Sequence, residues 1–232
     1  MTTLRFFGDS WPSERDETHE LALAQGLTPK SYPQLVSEIL NLPYKNYSVN
    51  GTSQQHNLVQ LMASNIQPGD HAIFSLTSPY RKMYYDEQGR ARTLGHATDP
   101  MLINDYNETW LSANICFTLY YYCLSRGSHA WFINTFDTSA FAWIDQPLWQ
   151  EIPELCWLMP SDQCVAQLFD PEFFQQTPEY KSYYFKDWLD SDNAQVQKYI
   201  RPNVNHPNQA GRELIAKKIA DELSQRISVK NK

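Results

Sequence analysis

Leu4-Arg5-Phe6-Phe7-Gly8-Asp9-Ser10-Trp11 is the stretch on which the fold turns. Leu4 to Phe7 predicts a short buried strand, and Gly8 permits a sharp exit from it. Ser10 then stands just past the carboxyl end of that strand. In an open α/β sheet, ligands bind at that rim.

The rest of the chain alternates around this start. Tyr32 to Leu42 carries Leu35, Val36, Ile39 and Leu40 at helical spacing and stops at Pro43. Tyr44 to Val49 predicts a strand, and Gln54 to Ile66 a helix with Leu58, Leu61 and Met62 on one face. Pro68-Gly69-Asp70 is a turn. His71 to Leu76 is a nearly continuous apolar run, the pattern of a parallel strand covered on both sides. Asn104 to Arg126 is the longest helical pattern, with Trp110, Ile115, Leu119, Tyr122 and Cys123 along a stripe and Gly127 suited to the cap. His129 to Asn134 predicts another buried strand. Ala210 to Arg226 predicts an amphipathic helix with Leu214, Ile215, Ile219 and Leu223 inward. This order predicts an α/β fold, a three-layer α/β/α sandwich with a central, mostly parallel sheet.

The 232 residues fit one domain, 1–232, with insertions at about 79–103 and 136–202. The first is turn-rich, with Glu87-Gln88-Gly89 as a hairpin tip. The second mixes aromatics, prolines and acidic residues, with a strand expected at Cys156 to Met159. Loops of this length in a compact domain usually cover a site.

Composition excludes several classes of partner. The net charge is −7, and Arg81, Lys82, Arg90 and Arg92 are diluted by Asp86 and Glu87. Nucleic acids and anionic membranes both require clustered Lys and Arg. No apolar run is long enough to span a bilayer. No signal-like segment precedes the first strand, so a cytoplasmic location is expected. Cys116, Cys123, Cys156 and Cys164 lack metal-ligand spacing and read as reduced core thiols. No metal or cofactor is expected, since the chain has no P-loop, no GxGxxG and no HExxH. His71 and His129 begin strands and read as structural. The aromatic fraction is 14%, with seven Trp and fourteen Tyr. That content fits a Tyr-rich core, or alternatively platforms for sugar rings.

His206-Pro207-Asn208-Gln209-Ala210-Gly211 leads directly into the last helix. If that helix packs beside the first strand, His206 reaches the rim that holds Ser10. Gly8-Asp9-Ser10 near the start, Asn50-Gly51 after the second strand, and the His206 block near the end resemble, in order and spacing, the SGNH/GDSL hydrolase superfamily. The resemblance implies acyl transfer, with Ser10 as nucleophile and His206 as base. It also implies an oxyanion held by the backbone N–H groups of Ser10 and Gly51, with Asp9 beside them.

Two positions depart from the superfamily pattern. Its oxyanion asparagine falls at Thr77, in Ser75-Leu76-Thr77-Ser78, where Thr77, Ser78 or Arg81 could donate instead. Its aspartate three residues before the histidine is Asn203 here. An amide oxygen, a backbone carbonyl, or a carboxylate among Asp187, Asp190 and Asp192 could replace it as acceptor for the imidazole.

The resemblance therefore implies a serine esterase that removes a short acyl group, such as acetyl, from a carbohydrate or small ester. Tyr80, Tyr84, Tyr85, Trp110, Trp143, Trp149 and Trp157 are candidate walls for the substrate. Transfer to a sugar hydroxyl, and a catalytically impaired carbohydrate-binding protein, are the alternatives.

Overall fold

Four parallel strands carry the architecture: β1 (Leu4–Phe7), β2 (Tyr44–Asn46), β3 (His71–Leu76) and β6 (His129–Asn134). They lie side by side in the order β2-β1-β3-β6. The computed structural model describes residues 2–14, 17–77, 82–85, 88, 91–94, 105–135, 147–161, 163–176, 194–201 and 206–230. In register, Leu4 faces His71 and Phe7 faces Phe74 across β1 and β3. His71 faces His129, and Leu76 faces Asn134, across β3 and β6.

The period of two along the strands divides the core into two halves. Leu4, Phe6, Ile73, Trp131 and Ile133 point to one face of the sheet. There they meet Tyr32 and Val36 of α2 (Tyr32–Leu40) and Ile215, Ile219 and Leu223 of the final helix, α8 (Gln209–Lys230). Phe7, Ala72, Phe74, Leu76, Ala130 and Phe132 point to the other face. Their partners include Leu61 of α3 (Gln54–Ala63) and Ile115, Cys116 and Leu119 of α4 (Asp105–Ser125). This is the expected α/β/α sandwich with a parallel central sheet.

Element bounds differ from expectation where caps and loops intervene. Asn41, at φ 50°, ends α2 in a left-handed cap, before Leu42. The second strand is three residues long, because Ser48 N–H bonds the Asn46 side chain and leaves the sheet. The strand expected at Cys156 to Met159 is instead a 3₁₀ turn, Glu154–Cys156, followed by a single parallel bridge from Trp157 to Phe132. A helix, α1 (Glu17–Ala24), was not expected. Its Leu21 and Leu23 are 41% and 53% exposed, so it presents no apolar stripe for a pattern to reveal.

In the 79–103 segment the chain forms an antiparallel ribbon of β4 (Lys82–Tyr85) and β5 (Ala91–Leu94), with Gln88 in a turn between them. The 136–202 segment contributes α5 (Pro147–Gln150), α6 (Pro171–Gln176), α7 (Ala194–Tyr199) and the first strand of a two-stranded ladder. That ladder pairs β7 (Ile200–Arg201) with β8 (His206–Pro207). Among the described residues, no helix is long and apolar enough to cross a membrane. All four cysteines are buried, and none is in a disulfide. Burial raises the Cys116 thiol and pushes Cys123 up to about 12, so neither is a ready nucleophile.

The amino-terminal ends of β1 and β3 are locked by a buried ion pair. Arg5 Nε donates to Asp70 Oδ2 at 2.6 Å. Asp70 also accepts from the N–H groups of Thr3 and Gln67, each at 3.0 Å. Removing one member of a buried pair leaves an uncompensated charge. Asp70→Ala is therefore expected to lower unfolding free energy by about 3–5 kcal/mol. The double variant Arg5→Met/Asp70→Leu should recover much of that loss, and urea denaturation of the three proteins checks it.

Candidate active site

Gly8 sets the path of the chain out of β1. A Cβ there would stand 2.7 Å from Pro12 Cγ and 2.9 Å from Ser75 Cβ, so only glycine lets this turn lie against β3. Asp9 follows and is fully buried. Its Oδ1 accepts from the backbone N–H of Trp11 at 3.1 Å, and its Oδ2 accepts from the Thr77 hydroxyl at 3.1 Å. One carboxylate thus binds the turn internally and ties it to the end of β3. Asp9, expected beside the substrate, is a buried support of the loop.

Thr77 has one hydroxyl proton, and it goes to Asp9. In this arrangement Thr77 holds the nucleophile loop and has no donor left for an oxyanion. Its own carbonyl accepts from Gln54 Nε2 at 2.8 Å, which fastens the end of β3 to the first turn of α3.

Two bonds join the loop after β2 to the same turn. The Gly8 carbonyl accepts from Val49 N–H at 3.0 Å and from the Thr52 hydroxyl at 3.3 Å, and that hydroxyl also reaches the Val49 carbonyl at 2.9 Å. Gly51 lies within this loop at φ 69°. A Cβ at Gly51 would meet nothing within 4 Å among the described residues, so it is the left-handed backbone that calls for glycine there. The N–H groups of Ser10 and Gly51 bond no acceptor among the described residues.

The other end of the chain brings His206 to this turn. Ser10 Oγ lies 2.7 Å from His206 Nε2, across 196 positions of sequence. With the ring proton on Nδ1, the serine hydroxyl donates and the imidazole accepts. Ser10 is 8% exposed, and His206 is half-buried.

The turn around His206 is held from below by Asn208. Its N–H donates to the Tyr199 carbonyl at 2.9 Å, and its Nδ2 donates to the Lys198 carbonyl at 2.9 Å. Its Oδ1 accepts from Gly211 N–H at 3.1 Å, capping α8. Gly211 is obligatory for contact: a Cβ would sit 2.3 Å from the Tyr199 carbonyl oxygen. The capping role of Asn208 was readable from an asparagine placed just before an amphipathic run.

His206 Nδ1 is buried and has no hydrogen-bond partner among the described residues. Asn203, Asp187, Asp190 and Asp192, the sequence candidates to support it, lie outside the described residues, as do Ser78 and Arg81. Of the candidate walls, Trp157 is only 3% exposed and stacks on Phe132 with ring centroids 5.4 Å apart, so it belongs to the core. Trp110 is 49% exposed on α4. Tyr80 and Trp143, and the side chains of Tyr84, Tyr85 and Trp149, lie outside what is described.

A cavity of about 460 Å³ opens beside the nucleophile loop. Ser13, Glu14, Asn46, Ser48, Val49 and Asn50 line it. The Ser48 hydroxyl is buried without a partner. His71 and His129 lie at the opposite, amino-terminal end of the sheet. Their rings stack 4.9 Å apart, and His71 Nδ1 accepts from Trp131 Nε1 at 2.9 Å, so His71 is held in the core packing. Among the described residues, no cluster of His, Cys, Asp or Glu could hold a metal ion.

Comparison with solved structures finds the same α/β fold in other proteins. Protein YXIM of Bacillus subtilis matches with a TM-score of 0.54 at 13% identity, over 97% of this chain and 56% of that one. The chain thus spans little more than half the length of that relative. A possible lipase from Chitinophaga pinensis matches with a TM-score of 0.50 at 15% identity, over 97% of this chain and 98% of that one. A structure from Slackia heliotrinireducens, provisionally assigned to the SGNH hydrolases, covers 98% of its own chain at 14% identity. Its TM-score of 0.45 is too low to bear on the fold. No family model and no curated protein matches the sequence. Identities this low speak to fold alone. That fold is the one expected of a divergent relative of the SGNH/GDSL hydrolases, the class that the ordered sequence blocks resemble.

Thr77→Val keeps the shape of the side chain but removes the hydroxyl from the buried Asp9 carboxylate. A buried acceptor left short of a donor costs about 1–3 kcal/mol. Urea denaturation should show a loss in that range, and Thr77→Ser should restore it. Labelling of Ser10 by a fluorophosphonate should slow in the same order. Wild-type labelling in Thr77→Val would mean the bond plays no part in placing Ser10.

Proposed function

We propose that the protein is a serine ester hydrolase that works through a Ser10–His206 dyad and removes a short acyl group from a polyhydroxylated alcohol. The 2.7 Å contact between Ser10 Oγ and His206 Nε2 is the observation that carries this reading. The Ser10 oxygen adds to the ester carbonyl while its proton passes to His206 Nε2. The N–H groups of Ser10 and Gly51 face the oxygen that becomes negative. The C–O bond to the alcohol then breaks, and His206 returns the proton to the departing oxygen. Water, deprotonated by the same imidazole, cleaves the acyl-serine, releases the carboxylic acid and restores the hydroxyl.

The carbohydrate part of the reading draws on the cavity beside the loop. Ser13, Glu14, Asn46, Ser48 and Asn50 give it hydroxyl, amide and carboxylate groups, and the buried Ser48 hydroxyl lacks a partner that a substrate hydroxyl would supply. His206 Nδ1 has no acceptor among the described residues, and an acceptor there would fix the ring tautomer and offset the imidazolium charge.

A fluorophosphonate probe is expected to label Ser10. Ser10→Ala should abolish both labelling and hydrolysis of an aryl acetate, and His206→Ala should reduce both severely. Hydrolysis at wild-type rate by Ser10→Ala would sink the assignment. Asn203→Asp places a carboxylate where the SGNH pattern has one. Loss of that acid cost about 10⁴ in a serine protease, so a gain in kcat of at least about tenfold is expected. An unchanged kcat would show that position 203 does not reach the imidazole.

A further inference from the structure

A second cavity, of about 440 Å³, lies between the end of α1 and the turn that carries His206. That volume is within the range of pockets for small molecules, about 300–1,000 Å³. One wall is apolar, from Leu27, Pro29 and Ile200, and the other presents Arg201 and Arg212. Among the described residues, no acidic side chain lines it. In a chain of net charge −7, that is a local reversal of sign. Arg212 is buried and has interactions of its own within the fold. Arg201 is half-buried and makes no ion pair or side-chain hydrogen bond among the described residues. A guanidinium at the wall of such a cavity, with neither a carboxylate nor a carbonyl to receive it among the described residues, is set to receive an anion.

The β7–β8 ladder fixes where that anion would lie. Arg201 stands directly opposite His206 in the antiparallel pairing. Residues so paired project to the same side, with Cβ atoms about 4.5–5.5 Å apart. The His206 ring is in turn 2.7 Å from Ser10 Oγ. An anion held by Arg201 therefore sits alongside the reacting centre, within the reach of one small substrate. Asn208 and Gln209, the next residues after the His206 strand, complete that wall, so the cavity and the base are built from one turn.

We propose that this cavity receives the part of the ester substrate that carries an anionic group, a carboxylate in the simplest case, with Arg201 as its counter-ion. The inference rests on the esterase reading and narrows it to acidic esters. The apolar wall would take the carbon skeleton between the ester and the charge. Recognition of a charged group through a cation selects strongly against the neutral analogue, because the unpaired partner is left behind.

The test uses two aryl acetates that differ by one carboxylate, 4-acetoxybenzoate and phenyl acetate. Wild-type kcat/KM is expected to favour the carboxylated ester, and Arg201→Gln to lower that preference by about tenfold or more. Leu27→Trp fills the cavity without touching the charge and should lower it as well. Calorimetric titration of the Ser10→Ala protein with 4-acetoxybenzoate reads binding without turnover, and adding Arg201→Gln to that protein should weaken it by a similar factor. Turnover of both esters with no preference, and titration unaffected by Arg201→Gln, would overturn the anion site and leave the esterase reading standing. Binding that depends on Arg201, with no turnover of either ester by the wild-type protein, would overturn hydrolysis and leave the site's ligand class in place.

Discussion

The contact between the Gly8 turn and β3 is the constraint on which the site depends. Parallel pairing brings the end of β1 against the end of β3, and a side chain at Gly8 would collide with Ser75. With the turn pressed down, the Asp9 carboxylate reaches Thr77 on one side and Trp11 N–H on the other. Ser10 then has no freedom to move away from the rim. Behind it, the buried Tyr32 hydroxyl bonds the Ser75 hydroxyl, and burial holds that phenol protonated. Ser10 is thus placed by backbone and buried polar contacts before any ligand arrives, the kind of preorganisation that the proposed acyl transfer would need.

His206 is placed by an independent set of constraints, and this independence explains how residues so far apart in sequence meet. The inner face of α8 packs on α2 and on β1, so its amino-terminal end must lie over the carboxyl ends of the strands. Asn208 caps the helix and binds the end of α7, while Gly211 admits the Tyr199 carbonyl. Hydrophobic packing sets the direction of approach, and these short polar contacts set the last few ångströms. A fault in either set would leave both residues present but out of register, where a displacement of about 1 Å is already costly to catalysis.

How much of this was legible in the sequence follows from what each element is made of. The sheet and its two faces were readable because Leu4–Phe7, His71–Leu76 and His129–Asn134 are apolar runs, and because Leu214, Ile215, Ile219 and Leu223 keep a helical period. The glycine requirements at 8 and 51 were readable in kind; the structure shows that one is steric and the other conformational. Helix α1 was hidden because its leucines face solvent. The roles of Asp9 and Thr77 were hidden because nothing in the local sequence reveals a hydrogen bond between residues 68 positions apart. Trp157 looked like a candidate wall only because an aromatic in an irregular segment gives no sign of its burial beside Phe132.

Of the two departures from the SGNH pattern, one falls within the described residues: the Thr77 hydroxyl is bound to Asp9 and is spent on holding the turn. On the esterase reading, stabilisation of developing charge would then draw on the backbone N–H groups of Ser10 and Gly51; Gly51 lies between Val49 and Thr52, both of which bond the Gly8 carbonyl. Backbone donors are less easily lost than side chains, since any residue in the same conformation supplies them. On the esterase reading, the rate would depend on how well the substrate itself, through contacts away from the reacting atoms, holds the ester carbonyl against Ser10.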